Sequence, residues 1–241
     1  MSDTAMVMAA GLGTRMRPLT DNCPKPLVEV AGKPLIGYSL DKLREAGAHN
    51  LCVNVHYFPD MMRKYLKDEA SDFNLHISDE TQQLMETGGG LVQALPHITA
   101  DPFFCINSDN IWTDDEGSSL SRMAEIWDDG AMDALLLLVP RSRAFNHKGA
   151  GDFSLDEAGR LLRRGGDETA PYVYSGIQLL SHRLLRDPPD GPFSTNILWN
   201  RALDEGRLFG TVHNGDWFDI GHPGAIAPTQ DKLSAIEAVN G

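Results

Sequence analysis

The order of apolar runs constrains this chain most. Ala5 to Ala9 reads as a short apolar strand, and it opens directly into Gly11-Leu12-Gly13. A strand-then-helix pattern then recurs. Pro34 to Ala46 predicts a helix with Ile36, Leu40 and Leu43 on one face, stopped by Gly47. Leu51, Val53 and Val55 alternate as a strand. Asp60 to Lys67 fits a short helix and Leu75 to Ser78 a strand. Gly90 to Leu95 starts another helix, Pro102 to Asn107 reads as a buried strand, and Leu120, Met123, Ala124 and Trp127 fall at helical spacing. Ala134 to Val139 is continuously apolar, as a strand covered on both faces must be. Such alternation predicts an α/β fold: a mostly parallel central sheet flanked by helices.

The second half changes character. Asp156-Glu157-Ala158-Gly159 marks a turn between two short strands within Asp152 to Leu162, and Tyr172 to Leu180 is a long strand. Phe193 to Leu203 predicts a helix capped by Ser194 or Thr195. Leu208 to His213 and Asp216 to Ile220 predict a hairpin around Asn214-Gly215, the strongest two-residue turn signal. A last helix runs from about Pro223 to Ala238. No linker or internal repeat interrupts, and 241 residues suit one domain.

The loop after the first strand suits polyphosphate. Glycine lets main-chain N–H groups approach phosphate oxygens, and Arg or Lys neutralises the charge. Between Gly11 and Pro26 stand three bases, Arg15, Arg17 and Lys25, against one acid, Asp21. Prolines on both sides of Lys25 stiffen its backbone. Two familiar phosphate loops are excluded: no Gly-x-x-x-x-Gly-Lys-Ser/Thr is present, and the third glycine of a dinucleotide fingerprint is missing. The whole chain carries a net charge of −13, which argues against nucleic acid as partner, because a phosphate backbone requires a basic face. A small positive site in an acidic protein instead fits an anionic metabolite. Cys23, Cys52 and Cys105 cannot all pair, no Cys/His cluster has zinc spacing, and no basic or long apolar leader precedes the first strand. The longest apolar run is too short to cross a membrane. A reduced, cytoplasmic location is expected.

The segments Ala9-Ala10-Gly11-Leu12-Gly13-Thr14-Arg15-Met16-Arg17-Pro18-Leu19-Thr20 and Pro24-Lys25-Pro26-Leu27 resemble the signature of the sugar-1-phosphate nucleotidylyltransferases. The resemblance continues in order through Glu86-Thr87-Gly88-Gly89-Gly90, Asn107-Ser108-Asp109, Gly151-Asp152-Phe153, Tyr174-Ser175-Gly176-Ile177 and Trp217-Phe218-Asp219-Ile220-Gly221. It implies a Rossmann-like, glycosyltransferase-A-like single domain over 1–241, with a nucleotide-binding half (1–140) and a sugar-binding half (141–241). It also implies Mg²⁺-dependent transfer of a nucleotidyl group from a nucleoside triphosphate to a sugar 1-phosphate. The Glu86 and Gly151 segments imply UTP and N-acetylmuramate 1-phosphate, a cell-wall sugar. GTP with mannose 1-phosphate is the alternative pair.

Site residues follow from this frame. Backbone donors at Gly11, Leu12, Gly13 and Thr14 would meet the triphosphate, with Arg15 on its outer phosphates. Lys25 resembles the family lysine between the α-phosphate and the sugar phosphate. Arg17 is either a ligand or a brace. Asp109 follows a strand and so emerges at the carboxyl edge of the sheet, where such folds bind ligands. Asp219 lies within an apolar strand, where a carboxylate must be paired or bound to a cation. Both are candidate Mg²⁺ ligands; the alternatives are a strand-end cap for Asp109 and a buried ion pair for Asp219. Arg15, Lys25 and Asp109 are the candidate catalytic residues. Gly88 is expected to approach the base or ribose, Glu80 to border the base and Asn107 to bond a hydroxyl. Asp152, Glu168 and Ser175 are the sugar-pocket candidates, with ordinary turn carboxylates as the alternative for the two acids. Ser108 and Asn110 depart from the family pattern, which has glycine and an apolar residue there.

No protein nucleophile is required, because a phosphate monoester is mostly dianionic at neutral pH. A glycosyltransferase would carry Asp-x-Asp, yet Asn107-Ser108-Asp109 holds only the second acid. A non-catalytic nucleotide-sugar sensor would be expected to have lost a phosphate-loop base or a metal aspartate, and all are present.

Overall fold

The structure is a computed structural model that describes residues 2–240. Its first half contains β1 (Thr4–Met8), a small arm of β2 (Glu29–Val30) and β3 (Lys33–Pro34), then α1 (Leu35–Glu45), β4 (Asn50–Val55), α2 (Pro59–Glu69), β5 (Asn74–Asp79), α3 (Glu86–Ala94), β6 (Phe103–Asn107), β7 (Asn110–Trp112) and α4 (Ser119–Ile126). The second half adds β8 (Ala134–Pro140), β9 (Ala144–Phe145), β10 (Phe153–Leu155), β11 (Leu161–Arg163), β12 (Tyr172–Leu180), α5 (Asn196–Asp204), β13 (Leu208–Val212), β14 (Trp217–Asp219) and α6 (Ile226–Asn240).

Strands β6, β1, β4 and β5 lie side by side and parallel. On the other flank β12 runs antiparallel to β6 and β8, while β13 returns parallel to β8. Side-chain alternation explains why these strands read as apolar. Leu135, Leu137 and Val139 of β8 enter one core, and Ala134, Leu136 and Leu138 enter the core on the opposite face. The expected α/β sheet between helices therefore forms. Gly47, with φ +77°, follows α1 as the predicted stop.

Two expectations fail. The stretch after β13 is not a hairpin: β14 joins a separate small sheet, antiparallel to β7 and parallel to β9. A two-residue hairpin turn of the Asn-Gly kind requires positive φ at both residues, and neither Asn214 nor Gly215 has it. The pair instead passes the chain between sheets, with Gly215 so close that a Cβ would stand 1.7 Å from Thr113 O. The helix expected from Gly90 starts four residues earlier, so Gly88, Gly89 and Gly90 lie inside α3. Helix α5 begins after Thr195; Thr195 makes no capping bond, and Ser194 Oγ accepts from Asn196 N at 3.3 Å.

A third core, with Met16, Ile111, Phe218 and Ile220, lies beneath the small sheet. It matters for the site because Met16 belongs to the loop after β1 and is fully buried. The loop is thereby anchored between its two arginines.

Candidate active site

The chain leaves β1 beside β6 on one side and β4 on the other, the switch point where parallel sheets open a ligand crevice at their carboxyl ends. Ala9 N donates to Asn54 Oδ1 at 2.6 Å, which fixes the exit of β1. Gly13 then adopts φ +63°, and a Cβ on it would stand 2.9 Å from Lys25 Cβ. Thr20 Oγ1 donates to Gly13 O at 2.8 Å. So glycine at 13 serves two ends: a left-handed turn and close approach of the Lys25 segment. Arg17 is exposed and pairs with Asp21 at 3.4 Å, a brace within the loop. Arg15 has no hydrogen-bond or ion-pair partner among the described residues. It lines a cavity of about 200 Å³ together with Gly11, Gly13, Thr14, Lys25, Asp109 and Gly221.

Lys25 and Asp109 meet directly: Nζ donates to Oδ2 at 2.6 Å. Asp219 arrives through the small sheet, since β14 pairs with β7 in the register Asp219 to Asn110, the neighbour of Asp109. A Cβ on Gly221 would stand 3.0 Å from Asp219 Oδ1 and 3.5 Å from Arg15 Nη1. Arg15 and Asp219 thus flank Gly221 at the rim of the cavity that holds Asp109. Asp219 Oδ2 also lies 3.7 Å from His147 Nδ1. The donor set fits Mg²⁺, which takes one or two carboxylates and completes its octahedron with substrate phosphates and water. Among the described residues no trio of His, Cys, Asp and Glu is grouped to hold an ion alone. A cation held by these two carboxylates would therefore depend on substrate oxygens.

A second cavity of about 250 Å³ shares Gly11, Lys25 and Asp109 with the first and extends along Asn54, Glu86, Thr87, Asn107 and Ser108. The sequence expectations divide at this point. Gly88 does not face the cavity. A Cβ on it would stand 2.3 Å from the Phe193 ring, and its N–H donates to Phe193 O at 2.8 Å. The glycines of α3 are there for packing, and Glu86 and Thr87 line the cavity in their place. Glu86 starts the helix with φ +59°, strained for a residue with a side chain.

Glu80 is also displaced from its expected role. It is 1% exposed, with Oε1 accepting from Asn54 Nδ2 at 2.7 Å and Oε2 from the Met85 amide at 2.9 Å. Both oxygens are used by the protein, so Glu80 braces the cavity wall. Glu80→Ala strands those donors and is expected to cost about 1–3 kcal/mol of stability. At roughly 2–4 °C per kcal/mol for a chain of this size, thermal melting will show it. A raised KM for nucleotide with an unmoved Tm would instead make Glu80 a ligand.

Asn107 lies where this cavity meets a further one of about 240 Å³, lined by Thr87, Tyr174, Gln178, Asn196 and Trp199. Burial pushes the Tyr174 phenol well up, with Cys105 and the Asp109 charge adding. Of the sugar candidates, Asp152 is exposed, accepts from Tyr174 N at 2.9 Å and lines neither cavity. Ser175 is fully buried: Oγ accepts from Ile177 N at 3.2 Å and its carbonyl accepts from Asn110 and Trp217. It shapes the bulge in β12 and does not line the cavity. Glu168 sits on the exposed turn between β11 and β12, where Arg164 contacts its carbonyl, and lines neither cavity. The two departures from the family pattern have structural uses. Ser108 Oγ donates to Met8 O at 2.7 Å, tying β6 to β1. Asn110 Nδ2 donates to Ser175 O at 2.8 Å, and Gly176 permits it, since a Cβ there would stand 2.1 Å from that nitrogen.

Asn54, Gln178, Asn196 and Trp199 had no local signal, because each acquires its place through partners far along the chain. His147 likewise reaches Asp219 only through the β9–β14 contact. Cys52 and Cys105 are free and buried, and burial pushes both thiols up to about 12, leaving them inert.

Comparison with known proteins agrees with this architecture. The profile described as Nucleotidyl transferase matches residues 4–148. An N-acetylmuramate alpha-1-phosphate uridylyltransferase of Caulobacter vibrioides is 41% identical over 95% of this chain and 96% of its own length. A protein of the same description from Neisseria meningitidis is 35% identical, over 90% of this chain and 92% of that one. The inositol-1-phosphate CTP transferase of T. maritima superposes with a TM-score of 0.79 over 98% of this chain and 96% of that one, and at 19% identity this speaks for the fold alone. Sequence order, sheet topology and the loop after β1 lead to one assignment: the chain belongs to the nucleotidyl transferase family.

Proposed function

We propose that this protein transfers the uridylyl group of UTP to N-acetylmuramate α-1-phosphate, releasing pyrophosphate and UDP-N-acetylmuramate. The observation that carries the proposal is the convergence of Arg15, Lys25 and Asp109 on one cavity beneath the glycine loop. In this reading a sugar-phosphate oxygen bonds to the α-phosphorus as the bond from that phosphorus to the bridging oxygen breaks. The electron pair leaves with pyrophosphate, and the acceptor is already anionic, so no protein base is needed.

Lys25 would stand between the two reacting anions and lessen their repulsion. The N–H groups of Leu12 to Thr14 and the Arg15 guanidinium would hold the departing phosphates in line. Asp109 and Asp219 would hold Mg²⁺, which supplies charge neutralisation on the triphosphate when bound. The protein would work in the cytoplasm, where nucleoside triphosphates are supplied.

The test is a panel of four nucleoside triphosphates against several sugar 1-phosphates, read by pyrophosphate release in Mg²⁺. The expected result is turnover that is highest with UTP and N-acetylmuramate 1-phosphate. Strong turnover only with GTP and mannose 1-phosphate overturns the substrate pair. Binding without pyrophosphate release overturns catalysis and supports a sensor.

A further inference from the structure

The cavity lined by Tyr174, Gln178, Asn196 and Trp199 has no charged side chain in its wall. A carboxylate placed there would meet only neutral groups, and an anion without a cationic or multiply bonded partner is costly to bury. Outside the lining, bonded to Asn196, stands Arg163, the exposed last residue of β11. Its Nη2 donates to Asn196 Oδ1 at 2.9 Å and to Asn200 Oδ1 at 2.9 Å. Its guanidinium carbon lies 5.1 Å from the centre of the Phe153 ring. No carboxylate lies within ion-pair distance of Arg163 among the described residues. Asp152 acts on it only at longer range, and burial lowers its pKa. Arginine keeps its charge regardless, so an exposed cation with donors left at Nε and Nη1 reaches the cavity wall through its bond to Asn196. Asn196 is engaged on both its polar atoms, by Arg163 and by Ser194 Oγ at 3.1 Å. One amide hydrogen remains for a ligand.

We propose that Arg163, with Asn196, forms a subsite for a carboxylate carried by the acceptor sugar, and so selects acidic amino sugars over neutral ones. The inference rests on the reading of the preceding subsection, since N-acetylmuramate is N-acetylglucosamine with a lactyl carboxylate added. Arg163 orients Asn196 and offers its free donors to that carboxylate. A neutral sugar leaves this corner unused.

The test is calorimetric titration of UDP-N-acetylmuramate and UDP-N-acetylglucosamine, in Mg²⁺, into the wild type, Arg163→Gln and Arg163→Lys. The nucleotide half is common to both ligands, so the ratio of their Kd values isolates the carboxylate. The wild type is expected to favour the acidic ligand. Arg163→Gln should lose affinity for it by about 10- to 100-fold more than for the neutral one, the range for hydrogen bonds to charged groups. Arg163→Lys should restore part of the gap. Equal losses on both ligands would mean a purely structural arginine and would overturn the inference. So would a wild-type preference that Arg163→Gln leaves intact. A wild type that fails to turn over N-acetylmuramate 1-phosphate in the substrate panel removes the functional reading itself, and this inference falls with it.

Discussion

Asp109→Asn is expected to lower kcat by about 10²–10³-fold, the scale for removing one group that stabilises developing charge. The fold should survive. The Asp109 side chain is 32% exposed, its hydrogen-bond partner is Lys25, and an amide oxygen can still accept from Lys25 Nζ. Because the amide keeps an acceptor for Lys25 Nζ and leaves no buried donor stranded, the Tm should move little. Steady-state kinetics beside a thermal melt checks both halves. Near-wild-type kcat would remove Asp109 from the catalytic set, and a collapsed melt would make it structural.

Lys25→Ala is expected to reduce kcat by a similar factor, about 10²–10³-fold, for a different reason. It takes away the cation that would separate two anions, and it leaves Asp109 without its partner. The ammonium is well placed for this: its side chain is only 11% exposed, packed under Gly13. Because the two groups touch, their losses should not multiply; contacting residues couple by about 0.5–3 kcal/mol. The double variant Lys25→Ala, Asp109→Asn, measured by kcat, should therefore retain more activity than the product of the single effects. Strict multiplicativity would mean that the two side chains act independently.

Much of this was legible because the physics is local. The period-2 burial of β8 and the two-sided cores follow from an uninterrupted apolar run. Gly13 could be read because a left-handed turn between a strand and bases has few other residues to choose from. What escaped depends on partners remote in sequence. Whether Gly88 faces a ligand or a ring is decided by Phe193. Whether Glu80 faces solvent or protein is decided by Asn54 and Met85, and residue type alone is silent on that. Asn214-Gly215 carried the strongest hairpin signal, yet β13 finds its partner in β8 and β14 finds its partner in β7, so tertiary pairing overrode the turn. Ser175 and Glu168 were attributed to the sugar pocket from their segments; a buried bulge and an exposed turn are where those segments place them.

The central claim is that Arg15, Lys25, Asp109 and Asp219 serve one triphosphate and its cation. A crystal structure with Mg²⁺ and a UTP analogue non-hydrolysable between its α- and β-phosphorus tests it most directly. The account predicts phosphates seated on the N–H groups of Leu12 to Thr14 and on Arg15, with the cation between Asp109 and Asp219. A nucleotide bound elsewhere, or those two carboxylates turned away from its phosphates, would contradict it.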